Sequence, residues 1–170
     1  MKPKFSKTYM RRVLGVGIAI VLLAIDLATK RLALTFVRMD EVMDVIPGFL
    51  GFRLAWNRGV SFSFLNDLPH TWLPLALAGL AFAVSGFLVY WIGKADRRLY
   101  LVGLACILGG AVGNAIDRLN YGAVVDFIHV YHGQWVFPTF NVADSVITVG
   151  VLCVLLDTLL AARQQKNKET

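Results

Sequence analysis

The chain is dominated by long apolar runs rather than by alternating or amphipathic patterns. Four stretches are free of Asp, Glu, Lys and Arg: Val13–Ile25, Trp72–Ile92, Leu99–Ile116, and Ser145–Leu156, which continues past Asp157 to Ala162. About 20 apolar residues are needed for a helix to cross the hydrocarbon of a bilayer. The second and third runs come close to that length unaided. The first reaches it by taking in Asp26 to Arg31, and the fourth by admitting Asp144 and Asp157. The pattern predicts four membrane-spanning helices, and the charges that intrude into two of them are the first candidates for chemistry. Between the first two helices the character changes. Over Asp40–Leu65, Pro47-Gly48 and Gly51 mark turns, and Phe49–Trp56 and Ser61–Phe64 read as short strands. Val124–Val130 is β-branched and aromatic and Pro138 stands just before helix four, so the third connection is expected to be a partly extended loop. The expected fold class is an all-α membrane protein, with four transmembrane helices and a small extracytoplasmic β-rich cradle. No repeat, low-complexity segment or linker divides the chain, so residues 1–170 are expected to form one domain.

Composition supports this reading: 57% of the residues are hydrophobic, against about 45–50% in ordinary soluble domains. The placement of Lys and Arg gives an orientation. Lys2, Lys4, Lys7, Arg11, Arg12, Lys94, Arg97, Arg98, Arg163, Lys166 and Lys168 would lie on one side of the membrane. Only Lys30, Arg31, Arg38, Arg53, Arg58 and Arg118 would lie on the other. Both termini are therefore expected in the cytoplasm. The net charge of +6 is split among short membrane flanks, which fits contact with anionic lipid and not nucleic-acid binding. Trp56, Trp72 and Trp135 fall near the expected outer interface, and Tyr90, Trp91 and Tyr100 near the inner one. The basic N-terminus followed by an apolar run also resembles a secretory signal. No small-x-small cleavage site follows Ile25, however, and the helical pattern runs on to Phe36, so a retained anchor is expected. Cys106 and Cys153 lie inside apolar runs, as packing residues do.

With helix one starting at Arg12 on the inner side, Asp26 lies about 21 Å along it, in the outer part of a hydrocarbon core about 30 Å thick. Lys30 follows one turn later on the same face. The pair reads either as an ion pair that makes insertion tolerable or as a direct substrate contact. Helix three ends in Gly109-Gly110-x-x-Gly113-Asn114-Ala115-Ile116-Asp117-Arg118. Its glycines permit close helix approach. Asn114 and Arg118 share a face, and Arg118 offers a fixed fork of donors for a carbonyl or a carboxylate, or else serves as an interfacial anchor. Asp126 sits in the apolar stretch Val124–Ile128, and Asp144 stands three residues after Asn141 at the start of helix four. A capping arrangement between Asn141 and Asp144 explains the latter pair structurally. By the topology, both aspartates lie at the outer membrane face, where an embedded acid is a functional candidate. Two carboxylates brought together share a proton, so one residue type supplies both an acid and a base. His129 and His132, three apart in an extended segment, point to opposite faces, and no Gly-x-Ser-Gly or His-Glu-x-x-His occurs.

These residues fall into five motifs in order. Asp26-Leu27-Ala28-Thr29-Lys30, Asn57-Arg58-Gly59-Val60-Ser61-Phe62-Ser63-Phe64 and Gly113-Asn114-Ala115-Ile116-Asp117-Arg118-Leu119 are followed by Gly122-Ala123-Val124-Val125-Asp126-Phe127 and Phe140-Asn141-Val142-Ala143-Asp144-Ser145. Together they resemble the bacterial lipoprotein signal peptidases, the type II signal peptidases, over most of the chain. Leu27, where that family often has Gln, and Val60-Ser61, where it often has Ala-Ala, depart from the pattern without touching a carboxylate. The resemblance implies that Asp126 and Asp144 are a catalytic pair, with Asp26, Lys30, Asn57, Asn114, Arg118 and Asn141 shaping the site or binding substrate. It implies an aspartyl endopeptidase that needs no metal or cofactor and cleaves diacylglyceryl-prolipoproteins before the lipidated Cys. The expected setting is the outer face of the bacterial cytoplasmic membrane, with membrane lipids as partners and a monomer as the working unit. The rival reading is a proton-coupled transporter or binding protein in which Asp26, Asp126 and Asp144 form a relay.

Overall fold

The computed structural model describes residues 6–39, 41–59 and 72–169. The expected strand Ser61–Phe64 and the Val60-Ser61 departure lie outside the described residues. Four helices account for most of the rest: α1 (Lys7–Phe36), α2 (Leu73–Ile92), α3 (Arg98–Tyr121) and α4 (Val142–Glu169). All four are long and apolar enough to cross a membrane. Their outward faces carry large bare side chains, such as Leu80 at 62%, Phe87 at 64% and Leu159 at 63% exposure. Water would not tolerate so much continuous apolar surface, whereas acyl chains match it.

Local signals set the helix ends. Ser6 caps α1, its hydroxyl accepting from Tyr9 N–H at 3.2 Å. Pro74 sits in the first turn of α2, where a missing N–H costs nothing. Gly122, at φ 67°, closes α3 in the left-handed conformation, its N–H bonding the Arg118 carbonyl at 3.1 Å. Two boundaries differ from expectation. Lys7 and Arg11 belong to α1 itself, which begins before the start expected at Arg12, and α4 continues past Ala162 to Glu169. Polar residues at these ends extend their helices into the aqueous flank, where hydropathy gives no signal for a helix.

Helix α3 is the axis of the bundle: it packs against α1, α2 and α4, while α2 and α4 do not touch. Small residues make this possible. A Cβ added to Gly103 would stand 2.8 Å from the carbonyl oxygen of Gly150 in α4, and one added to Gly150 would stand 2.7 Å from that of Gly103. The two backbones therefore meet directly at this crossing. Ala19, Ile92, Leu104 and Leu108 form the apolar core where α1, α2 and α3 converge.

The remaining elements form one antiparallel sheet in the order β1 (Met43–Ile46), β2 (Leu50–Asn57), β3 (Val124–His132) and β4 (Trp135–Val136). The third connection is partly extended, as expected, and takes part in this sheet. It supplies β3, which pairs with β2 in a register that sets Ala55 opposite Asp126 and Gly51 opposite His129. An irregularity between Phe52 and Ala55 interrupts this ladder, and such bulges bend a strand and re-aim its side chains. Leu54, Val125 and Phe127 of the sheet bury against Ala33 and Val37 at the end of α1. The sheet is thereby seated on one end of the helical bundle, next to the polar ends of α3 and α4.

Candidate active site

Lys30 is the centre of a buried polar cluster at that end of the bundle. Its Nζ lies 2.8 Å from Asp26 Oδ2, 2.9 Å from Asp117 Oδ2 and 3.0 Å from Asn114 Oδ1. The i, i+4 pair expected in α1 is therefore formed, with Asp26 fully buried and Lys30 nearly so. A lone charge there would be prohibitive, and one ammonium with three oxygen acceptors is the compensated form. Gly113 leaves room for it, because a Cβ at that position would run into the Asp26 carboxylate.

Each acceptor of Lys30 carries the connection onward. Asp26 Oδ1 accepts the backbone N–H of Ala143 at 2.8 Å, satisfying one of the free donors in the first turn of α4. Asp117 Oδ2 accepts the N–H of Val125 at 3.1 Å, tying α3 to β3. Asn114 uses its amide nitrogen to donate to Asp144 Oδ1 at 2.8 Å, while its oxygen also accepts from Asn141 Nδ2 at 3.2 Å.

Asn141 then bridges the two aspartates. Its Nδ2 donates to Asp126 Oδ1 at 2.7 Å, its Oδ1 accepts the N–H of Asp144 at 2.9 Å, and its own N–H donates to Asp144 Oδ2 at 3.3 Å. The last two contacts are the reciprocal capping arrangement expected from the sequence. The same Asn141 side chain that caps α4 against Asp144 also reaches Asp126, so one residue links the two carboxylates. Burial raises the Asp126 carboxyl to about 6. The neighbouring Asp144 charge pushes the same way, and hydrogen bonding from Asn57 and Asn141 and the Lys30 charge oppose the rise. A carboxyl whose hold on its proton is raised by burial, with a second carboxylate close by, is an arrangement suited to general acid–base work. Among the described residues, no group of three His, Cys, Asp or Glu side chains is placed to hold a metal ion.

The eight residues singled out in the sequence occupy this end of the molecule. Asn57, the last residue of β2, sits on the exposed rim with its Oδ1 accepting the N–H of Gly59 at 2.9 Å. Arg118 Nη1 donates at 3.2 Å to the carbonyl of Asn114 in its own helix, and its guanidinium stands within electrostatic reach of Asp144, Asp126 and Asp117. Its buried Nε has no hydrogen-bond partner among the described residues.

A family model described as signal peptidase (SPase) II matches residues 18–160. The chain belongs to the signal peptidase II family. A lipoprotein signal peptidase of Acinetobacter baylyi is 38% identical over 159 residues, spanning 92% of this chain and 88% of that protein. One from Solibacter usitatus is 41% identical over 153 residues, spanning 89% and 93%. A bacterial membrane enzyme solved by the in meso method at 1.9 Å shares the architecture, with a TM-score of 0.74 and 29% identity, covering 86% of this chain and 92% of the other.

In this signal peptidase II the residue that sequence reasoning passed over is Asp117. It stands inside the Gly113–Leu119 motif, just past the charge-free run that ends at Ile116, and no role is assigned to it from the sequence. The structure buries it at 3% exposure between Lys30 and Val125 N–H. The available signal was its place one turn after Gly113 and three residues after Asn114, on the face that α3 turns toward α1.

Proposed function

We propose that this signal peptidase II is an aspartyl endopeptidase that removes the signal peptide from diacylglyceryl-modified prolipoproteins. Cleavage occurs before the lipidated Cys, with Asp126 and Asp144 as the catalytic pair. One observation carries the reading: Asn141 holds both carboxylates at once, through Nδ2 to Asp126 and through its capping contacts to Asp144. The ionised member takes a proton from a water molecule whose oxygen attacks the scissile carbonyl carbon. The protonated member donates to the carbonyl oxygen. As the tetrahedral carbon collapses, the C–N bond breaks and the pair delivers a proton to the leaving amine. Arg118 and Asn57, at the rim, hold the substrate backbone, and Asp26, Lys30, Asn114 and Asn141 position the pair.

The distribution of Lys and Arg supports cytoplasmic termini and a site on the extracytoplasmic side of the bacterial inner membrane; residues 1–170 as one domain and a monomeric working unit belong to the same proposal. A proton relay is poorly supported. Asp26, Asp126 and Asp144 gather at one end of the bundle, and Asp157, near the other end, is held by Arg97 at 2.8 Å.

The test is cleavage of one diacylglyceryl-modified precursor by the purified protein without a membrane gradient, compared with Asp126→Asn and Asp144→Asn. Each variant should lose at least about a hundredfold in turnover, the scale of acid–base catalysis, while keeping its unfolding transition. Near-normal turnover by either one removes that residue from the pair, and absence of cleavage by the folded parent protein defeats the proposal.

A further inference from the structure

At the opposite end of the bundle from the carboxylates, α2 and α4 do not touch, and a cleft of about 490 Å³ opens between them over the start of α3. It is walled by Trp91 at the end of α2, Lys94, Asp96 and Arg97 in the connecting turn, Tyr100 of α3 and Thr158 of α4. Its depth in a bilayer follows from α2. That helix has 20 residues, Leu73–Ile92, which at 1.5 Å each span about 30 Å, the thickness of the hydrocarbon. Trp91 and Tyr100 therefore stand at the boundary of the acyl region, with Lys94 and Arg97 at the level of lipid phosphates.

Neighbouring elements fix the charged wall. Arg97 Nη2 pairs with Oδ2 of the buried Asp157 at 2.8 Å, tying the turn to α4, and Arg11 Nη1 pairs with Asp96 Oδ1 at 2.8 Å, tying it to α1. Asp157 and Asp96 are thereby each neutralised by an arginine. Lys94 has no acid partner among the described residues, and its Nζ stands 4.5 Å from the centroid of the exposed Tyr90 ring. Arg97 is about half exposed and spends one nitrogen on Asp157, so the rest of its fork of donors is uncommitted among the described residues. One turn deeper into the membrane, α4 presents Leu155, 55% exposed. Positive charge in excess thus sits directly on aromatic and aliphatic side chains.

We infer that this cleft binds the headgroup of an anionic phospholipid. Lys94 and Arg97 donate charge-assisted hydrogen bonds to the phosphate oxygens, Trp91 and Tyr100 cover the glycerol level, and the acyl chains run along α3 between α2 and α4. An amphiphile matches this order of groups, whereas a soluble anion leaves the apolar walls unused. A zwitterionic lipid brings its own cation to Lys94 and gains less. The cleft is separate from Asp126 and Asp144, so the inference is independent of the reaction that the carboxylates perform. Its consequence is mechanical, because bound lipid joins the α2–α3 turn to α4 across a gap that these helices do not close themselves.

The test measures the unfolding temperature of the detergent-solubilised protein after adding phosphatidylglycerol, phosphatidylcholine or inorganic phosphate at equal concentration. The parent protein should gain several degrees with phosphatidylglycerol and little with the other two. Lys94→Gln removes the unpaired cation and should lose most of that gain, while Lys94→Arg should keep it. Arg98→Gln removes the same charge from a residue outside the cleft wall and should also keep it. An undiminished gain in folded Lys94→Gln overturns the inference, and so does an equal loss in Arg98→Gln, which would mean that net charge and not the cleft attracts lipid. Equal stabilisation by phosphatidylcholine or by inorganic phosphate overturns it as well, in favour of any lipid or of a soluble anion. Should Lys94→Gln fail to fold, native mass spectrometry of the parent decides: preferential retention of phosphatidylglycerol from an equimolar mixture with phosphatidylcholine is expected, and equal retention overturns the site.

Discussion

Asp126, one member of the proposed catalytic pair, works against the stability of the fold. Its carboxyl is raised to about 6 from an ordinary value of 3.8, first by burial. The folded protein therefore binds that proton more tightly than the unfolded chain does. Between those two values ionisation lags in the folded state, so this group's contribution to stability falls as pH rises and its full cost is present above about 6. Asp126→Asn keeps an oxygen for Asn141 Nδ2 and removes the charge. We expect it to melt at the same temperature as the parent near pH 4 and at a higher one at pH 8, measured by thermal unfolding in the same detergent or lipid. Equal melting at both pH values would mean that the native carboxylate is not penalised. Asp126 and Asp144 were legible from the sequence because an acid in an apolar stretch is conspicuous. Their hydrogen-bond route through Asn141 was not, because it joins β3 to the start of α4 through side-chain geometry that spacing does not contain.

At the scale of elements, the polar cluster acts as the joint between α1, α3, α4 and β3. Lys30 is the pivot, since it faces Asp26 and Asp117 together. Lys30→Ala leaves two buried carboxylates facing one another, and breaking a buried pair in this way costs about 3–5 kcal/mol. We expect a sharp fall in yield and in unfolding temperature along with lost activity, whereas Asp126→Asn and Asp144→Asn should lose activity without losing stability. A normal unfolding temperature for Lys30→Ala would contradict the pivot role. The second joint is apolar. At Gly103 an added Cβ meets the Gly150 carbonyl at 2.8 Å, while at Gly79 in α2 it meets nothing within 4 Å. Gly103→Val should cost about 1–3 kcal/mol or more by overpacking against backbone that cannot yield, and Gly79→Val should be tolerated. Thermal unfolding of the two variants side by side checks this. The sequence marked the glycines of helix three as points of approach, but the partner helix at each crossing depends on how α1 and α4 wrap around α3.

For the molecule as a whole, the orientation proposed from charge placement can be tested directly. A cysteine introduced at Gln134, in the turn between β3 and β4, should react with a membrane-impermeant thiol reagent from the extracytoplasmic side. One at Gln164, on the polar extension of α4, should react only after the membrane is opened. The reverse labelling would invert the topology and with it the placement of the site.

The sequence by itself determined four spans, the cap at Asn141 and the candidate acids. Each of these is a local property, set by run length, helical spacing or a short motif within one segment. Only the tertiary structure decided that β3 completes the same sheet as β1 and β2, that Asp117 is buried beside Lys30, and that α3 stands at the centre of the bundle. Those outcomes depend on pairing between segments far apart in the chain. The hydrogen bonds and close packing that select such pairings are made between side chains and backbone brought together in space, and a linear pattern records the candidates without recording which of them meet.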